Sequence, residues 1–68
     1  MRIVKVIEVL ADSEESWEDA ARRALKETAK TVDNIRSIYI KEMQAIVEDD
    51  EITSYRVNAK ISFVVEEE

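Results

Sequence analysis

From Arg2 to Leu10 the chain is dense in β-branched residues, with Ile3, Val4, Val6, Ile7 and Val9 falling on both phases of a two-residue alternation. Such a run reads as a strand that is apolar on both faces, and both faces then call for a cover. Lys5 and Glu8 interrupt it, and Glu8 is expected to pair with Lys5 or with a cation of a neighbouring chain. Asp12-Ser13-Glu14-Glu15-Ser16 breaks the pattern with turn and cap residues. The period then changes. Trp17, Ala20, Ala21, Ala24, Leu25, Thr28, Val32 and Ile35 recur at helical spacing as one apolar stripe, while Arg22, Arg23, Lys26, Glu27, Lys30 and Asp33 take the other side. Ser16 is the expected N-cap, with Asp19 three residues on to complete a capping box. Glu18 and Asp19 also put negative charge where the helix dipole favours it. The alanines of the stripe imply a helix lying close against a sheet. Asp33-Asn34 is the expected end, with Asn able to adopt the left-handed cap conformation.

Arg36 to Val47 carries its apolar residues on even numbers (Ile38, Ile40) and then on odd ones after Glu42 (Met43, Ala45, Val47). A one-residue slip of phase within a strand predicts a β-bulge. Glu48-Asp49-Asp50-Glu51 is an acidic turn, and a last strand runs from Ile52 to Val65. In it Tyr55, Val57, Ala59, Ile61, Phe63 and Val65 face one way, and Arg56, Asn58, Lys60 and Ser62 the other. That strand reaches roughly 46 Å at 3.3 Å per residue. A helix of about 17 residues reaches only about 26 Å. The single helix leaves apolar sheet surface and open strand edges that another chain must close.

Composition sharpens this picture. A chain of 68 residues is one domain, residues 1–68, and a core of that size needs outside support. It has no Cys for disulfides and no His for metal ligation or general-base work, so oligomerisation is the support left. The formal charge of −6 offers no cationic footprint for nucleic acid, and no apolar run is long enough to span a membrane. Met1 leads directly into strand-like sequence without a targeting segment, so a soluble, cytoplasmic protein is expected. Gly and Pro are both absent, which leaves Asp, Asn, Ser and Glu to make every turn. With no nucleophile–base pair, no phosphate-cradling glycine loop and no isolated carboxylate in an apolar setting, the chain is not expected to be an enzyme.

Specific residues add a resemblance. Lys5-Val6-Ile7-Glu8-Val9, then Ser13, then Ser16-Trp17-Glu18-Asp19-Ala20, resemble the opening signature of the dodecins. The similarity continues through Ala24, Lys30-Thr31, Asn34, Glu42, Val47-Glu48-Asp49, Tyr55, Val57, Lys60 and Phe63, over essentially the whole chain without insertion or deletion. It implies an α+β fold of order β-α-β-β, with a three-stranded antiparallel sheet partly wrapped around one helix. It also implies a homododecameric shell that binds flavin (FMN, riboflavin or FAD), stacked between aromatic side chains at subunit contacts and stored there.

Against that family pattern, the stacking tryptophan aligns with Ser37 and the glutamine on the flavin's polar edge with Arg56. Ser37 has no π face, and Arg56 has donors but no acceptor. Tyr39 lies two residues from Ser37 on the same strand face, where it packs at a subunit contact or offers a replacement aromatic platform. Ser37, Tyr39 and Arg56 are therefore the candidate ligand-binding residues. Glycines common in the family are replaced by Ala11, Ala45, Asp50 and Ser62. Trp17 is expected to pack at the helix–sheet or subunit contact. The row Arg56, Asn58, Lys60 is either solvated or a seat for an anionic ligand. The acidic runs Glu48–Glu51 and Glu66–Glu68 are solvated turn and tail, or hard-cation ligands in an assembly that no longer takes flavin; no residue is assigned as a metal ligand from sequence.

Overall fold

The computed structural model describes residues 2–67. Strand β1 spans Arg2–Ser13, helix α1 Trp17–Thr28, strand β2 Ile35–Glu48 and strand β3 Glu51–Glu67. The sheet order is β1-β3-β2 with both pairings antiparallel, so β3 is the central strand. Centrality is what the clean alternation of β3 reflects: Val57, Ala59 and Ile61 are buried, with Ala20 and Ala24 of α1 supplying the helical side of the same core. Two alanines let the helix axis come close, and a larger side chain at either would push it away.

The segment before α1 is tied more tightly than a capping box requires. Ser16 Oγ accepts from Asp19 N at 2.9 Å, the expected half of the motif. The reciprocal half is absent: the Asp19 carboxylate instead accepts from Ser13 Oγ at 2.5 Å and from Arg23 Nε at 2.7 Å. Ser13, a buried polar residue, also takes the backbone N–H groups of Glu15 and Ser16 on its hydroxyl. These bonds satisfy the backbone donors of a turn built without glycine.

The helix ends sooner than its stripe predicts. It stops at Thr28, with Ala29 as a right-handed cap, and Thr31 and Val32 turn back to donate to the Thr28 carbonyl. Thr28, Thr31 and Val32 are weak helix formers, and the apolar spacing beyond Thr28 serves a turn that still packs Val32 partly under cover. Asn34 does take the left-handed conformation (φ 61°), but as the entry to β2 rather than as the helix cap. Its carbonyl accepts from Val64 N at 3.0 Å, which ties the start of β2 to the end of β3.

At the hairpin, Asp49 (φ 52°) and Asp50 (φ 64°) are both left-handed, the pattern of a type I′ two-residue turn. The bulge expected in the middle of β2 falls between Ile40 and Glu42. Further slips of register lie at Ile35/Ser37 and Ile46/Val47 in β2 and at Ile3/Val4 in β1. The last of these corrects the assignment of Val65 to the core face. Ile3 pairs with Glu66 but Val4 with Val64, so Val65 is the extra residue; Val64 turns in and is buried while Val65 is exposed.

The molecule is 53 Å long and 20 × 14 Å across. The 12-residue helix covers about 18 Å of that length. Val4, Val6, Leu10, Tyr39, Met43, Val47 and Ile52 all remain exposed. The cover that β1 calls for on both faces is thus not provided within one chain. Among the described residues no helix is long and apolar enough to cross a membrane.

Candidate functional site

The face of the sheet away from α1 is where the polar phase of β3 emerges. Register arranges it in rows across three strands. Val6, Ser62 and Ser37 form the first row, and Glu8, Lys60 and Tyr39 the next. Leu10, Asn58 and Glu42 follow, then Asp12, Arg56 and Gln44. Paired residues share a face, so these twelve side chains form one open surface.

Charges on it are paired across strands. Asp12 accepts two hydrogen bonds from Arg56, at 2.7 and 3.0 Å, a bidentate fork that fixes the guanidinium plane. That contact holds the Asp12 carboxyl below the ordinary carboxylate range and makes Arg56 harder to deprotonate. Glu8 pairs with Lys41 at 3.4 Å, not with Lys5, because Lys5 projects from the other phase of β1. The Glu8 carboxyl is lowered first by a hydrogen bond from Asn58, then by Lys41 and, more weakly, by Lys60. Asn58 also donates from Nδ2 to Glu42 Oε1 at 3.4 Å. The Glu42 contact orients the amide, and its Oδ1 is buried without a protein partner. Beside it lies a notch of about 30 Å³ lined by Leu10, Glu42, Gln44, Arg56 and Asn58.

The three candidate residues all lie on this surface. Ser37 and Tyr39 are neighbours along β2; Ser37 shares a hydrogen bond with Ser62, and the Tyr39 ring is 64% exposed beside Lys60. Arg56 stands three register steps from the Ser37 row, roughly 20 Å along the strand. One chain therefore does not bring Ser37 and Arg56 onto the same small molecule. Asp12 and Gln44 share the surface yet are not singled out by the sequence as binding residues, because their partners lie on other strands and the register that joins them is long-range. Trp17 sits on the opposite side, its indole Nε1 donating to the Gln44 carbonyl at 2.8 Å and its ring edge-on to Tyr55. Among the described residues no three acidic side chains converge as a metal site.

A three-stranded antiparallel sheet with β3 in the centre, one short helix on one face and an open polar face on the other defines the βαββ subunit of the dodecins. The dodecin family profile matches residues 3–66, and the chain belongs to that family. It is 33% identical to the calcium dodecin of Mycobacterium tuberculosis over 63 residues, covering 93% of this chain and 89% of that one. The crystal structure of that calcium dodecin, described as calcium-chelating with a novel calcium-binding site, superposes with a TM-score of 0.82 at 33% identity over 90% of this chain and 87% of the other. The dodecin of Thermus thermophilus, solved as an arginine-to-alanine mutant, superposes with a TM-score of 0.91 at 27% identity, covering 98% of this chain and all of that one. The dodecin from Streptomyces coelicolor, at 22% identity and a TM-score of 0.90 over 98% of this chain and 96% of that one, shares the fold.

Proposed function

We propose that the chain assembles into a homododecameric shell of the dodecin type that binds and stores a small molecule, with flavin as the family ligand and altered contacts to it. The observation that carries the reading is the open sheet surface. It places a 64%-exposed Tyr39, a 66%-exposed Leu10 and an ordered set of hydrogen-bonding groups on one face that its own helix does not cover. Burial of apolar area at roughly 25 cal/mol per Å² makes that surface a driving force for association with other copies. Ser37 and Arg56 lie too far apart to meet one ligand within a chain, which fits a binding position shared between subunits. Tyr39 takes the aromatic role that Ser37 lacks. The groups on the surface are paired and oriented, as binding requires, and the reading assigns them no catalytic step. Native mass spectrometry of the purified protein tests the assembly, with twelve chains expected and a monomer overturning it. Titration of riboflavin or FMN, followed by loss of flavin fluorescence, tests the ligand; unquenched emission at micromolar protein removes flavin from the reading.

A second reading is favoured by the relative at 33% identity whose name specifies calcium. In it the shell holds a hard divalent cation where acidic groups of several copies converge, the exposed hairpin Glu48–Glu51 being the obvious source of oxygen ligands. A rise in melting temperature on adding calcium to chelator-treated protein, absent with added sodium, supports this reading. An unchanged melting temperature removes it.

A further inference from the structure

Strand β1 ends where Ser13 pairs with Tyr55, and beyond that level β2 and β3 run on alone as a two-stranded arm, residues 46–54. A two-stranded hairpin with nothing packed on it is marginal in water. This one exposes more than half of Val47 and of Ile52, directly behind four consecutive carboxylates at residues 48–51. Its complement is a surface on which apolar and positive groups follow one another in the same order.

Such a surface lies between the edge of β1 and α1. Val9, Ala11 and Ala24 line a trough there, and Leu10, 66% exposed, forms its lip. Arg23 and Glu27 border both this trough and the outer face of the helix, where Arg22, Lys26 and Lys30 stand. Four of the chain's ten basic residues thus gather beside apolar ground. Three of them pair with Glu18, Asp19 and Glu27, so the face keeps one positive charge in excess while the whole chain carries −6. The Arg22–Glu18 pair is 73% exposed on both sides, and pairs of that kind are weak enough to yield to an incoming carboxylate. The arm does not reach this ground in its own chain. The trough lies at the level of Val9, which pairs with Ala59, roughly 26 Å along β3 from Glu51.

We propose that the arm of one copy docks in the β1–α1 trough of the next. Val47 and Ile52 cover Leu10 and the apolar lining, and the carboxylates of residues 48–51 meet Arg22, Lys26 and Lys30. The proposal rests on the assembly reading above and gives it a specific contact. Arm and trough are different surfaces, so the contact is heterologous and runs head to tail until a rotation closes it into a ring. Apolar burial drives the docking, and the charges fix its register and partner.

Zero-length carbodiimide coupling of the wild-type assembly, followed by peptide mass spectrometry, tests the contact without any substitution. An amide joining Lys26 or Lys30 to a carboxylate of residues 48–51 is expected, and the distance within one chain means that such a link joins two copies. Charge reversal gives a second measurement. Glu48→Lys with Glu51→Lys, and separately Arg22→Glu with Lys26→Glu, are each expected to lower the assembly mass in native mass spectrometry; all four together are expected to restore it. A full assembly that yields no arm-to-helix link, or that survives either reversal, overturns the docking and leaves the shell standing. Failure of the fourfold variant to reassemble while both pairs disrupt also overturns it. A wild-type monomer overturns the shell and the docking together.

Discussion

Individual residues in this chain do work usually left to glycine. Asp50 holds φ 64° with a β-carbon in place, a conformation costing roughly 1–2 kcal/mol for an ordinary L-residue and less for Asp. Asp50→Gly is expected to raise stability by about 0.5–1 kcal/mol, read as a higher urea midpoint at unchanged slope. The carboxyls of Glu8, Asp12 and Asp19 are all held below their ordinary values, Glu8 first by Asn58, Asp12 by Arg56 and Asp19 first by Ser13. A carboxylate whose folded pKa is depressed contributes stability above its unfolded pKa and loses it as pH falls through the folded one. Melting temperature should therefore be flat near neutrality and fall as pH drops below the ordinary carboxylate values of 4.5 for Glu8 and 3.8 for the two aspartates. Asp12→Asn with Asp19→Asn should make that fall shallower, and an unchanged profile would show that other groups govern acid unfolding. Ser37→Trp is expected to raise flavin affinity by about tenfold, since one aromatic stacking contact contributes roughly 0.5–1.5 kcal/mol beyond its area and 1.4 kcal/mol is a factor of ten. Fluorescence titration of the variant beside wild type reads it directly.

At the scale of elements, what the sequence makes legible follows from how local the cause is. The existence, order and type of all four elements are local facts, carried by a two-residue alternation, a helical stripe and a cap. Ser16 as the N-cap is of this kind, and Ser16→Ala should cost about 1 kcal/mol in a denaturant titration. The bulge in β2 is also visible, because the phase changes within one strand. The bulge at Val65 is not, because Val64 and Val65 are both apolar and only pairing with β1 shows which one turns inward. Helix length is overread for a related reason: Val32 and Ile35 keep the helical spacing while belonging to a turn and to β2. The candidate surface is the least legible part. Arg56 is visible as an odd cation on a polar face, but its engagement by Asp12 joins residues 44 apart in the chain, and the unpartnered Asn58 Oδ1 exists only once β3 lies between β1 and β2.

For the whole molecule, the disproportion between a 53 Å sheet and a three-turn helix governs behaviour. Just below the acidic hairpin turn, Val47 pairs with Ile52 and both are exposed, so a contact between copies is expected there. Val47→Lys with Ile52→Lys should lower the mass of the assembly in native mass spectrometry while leaving the far-ultraviolet circular dichroism of each chain intact. Retention of the full assembly would place the contact elsewhere on the sheet. The clamp between α1 and β2 has a further use. Trp17 is the one tryptophan of the chain, hydrogen-bonded to a β2 carbonyl and set edge-on to Tyr55, on the opposite side of the sheet from the candidate surface. Its ultraviolet emission is therefore a label-free gauge of helix docking. If the proposed ligand is a flavin, its visible emission gauges occupancy of the other face, and the two processes can be timed separately in one cuvette.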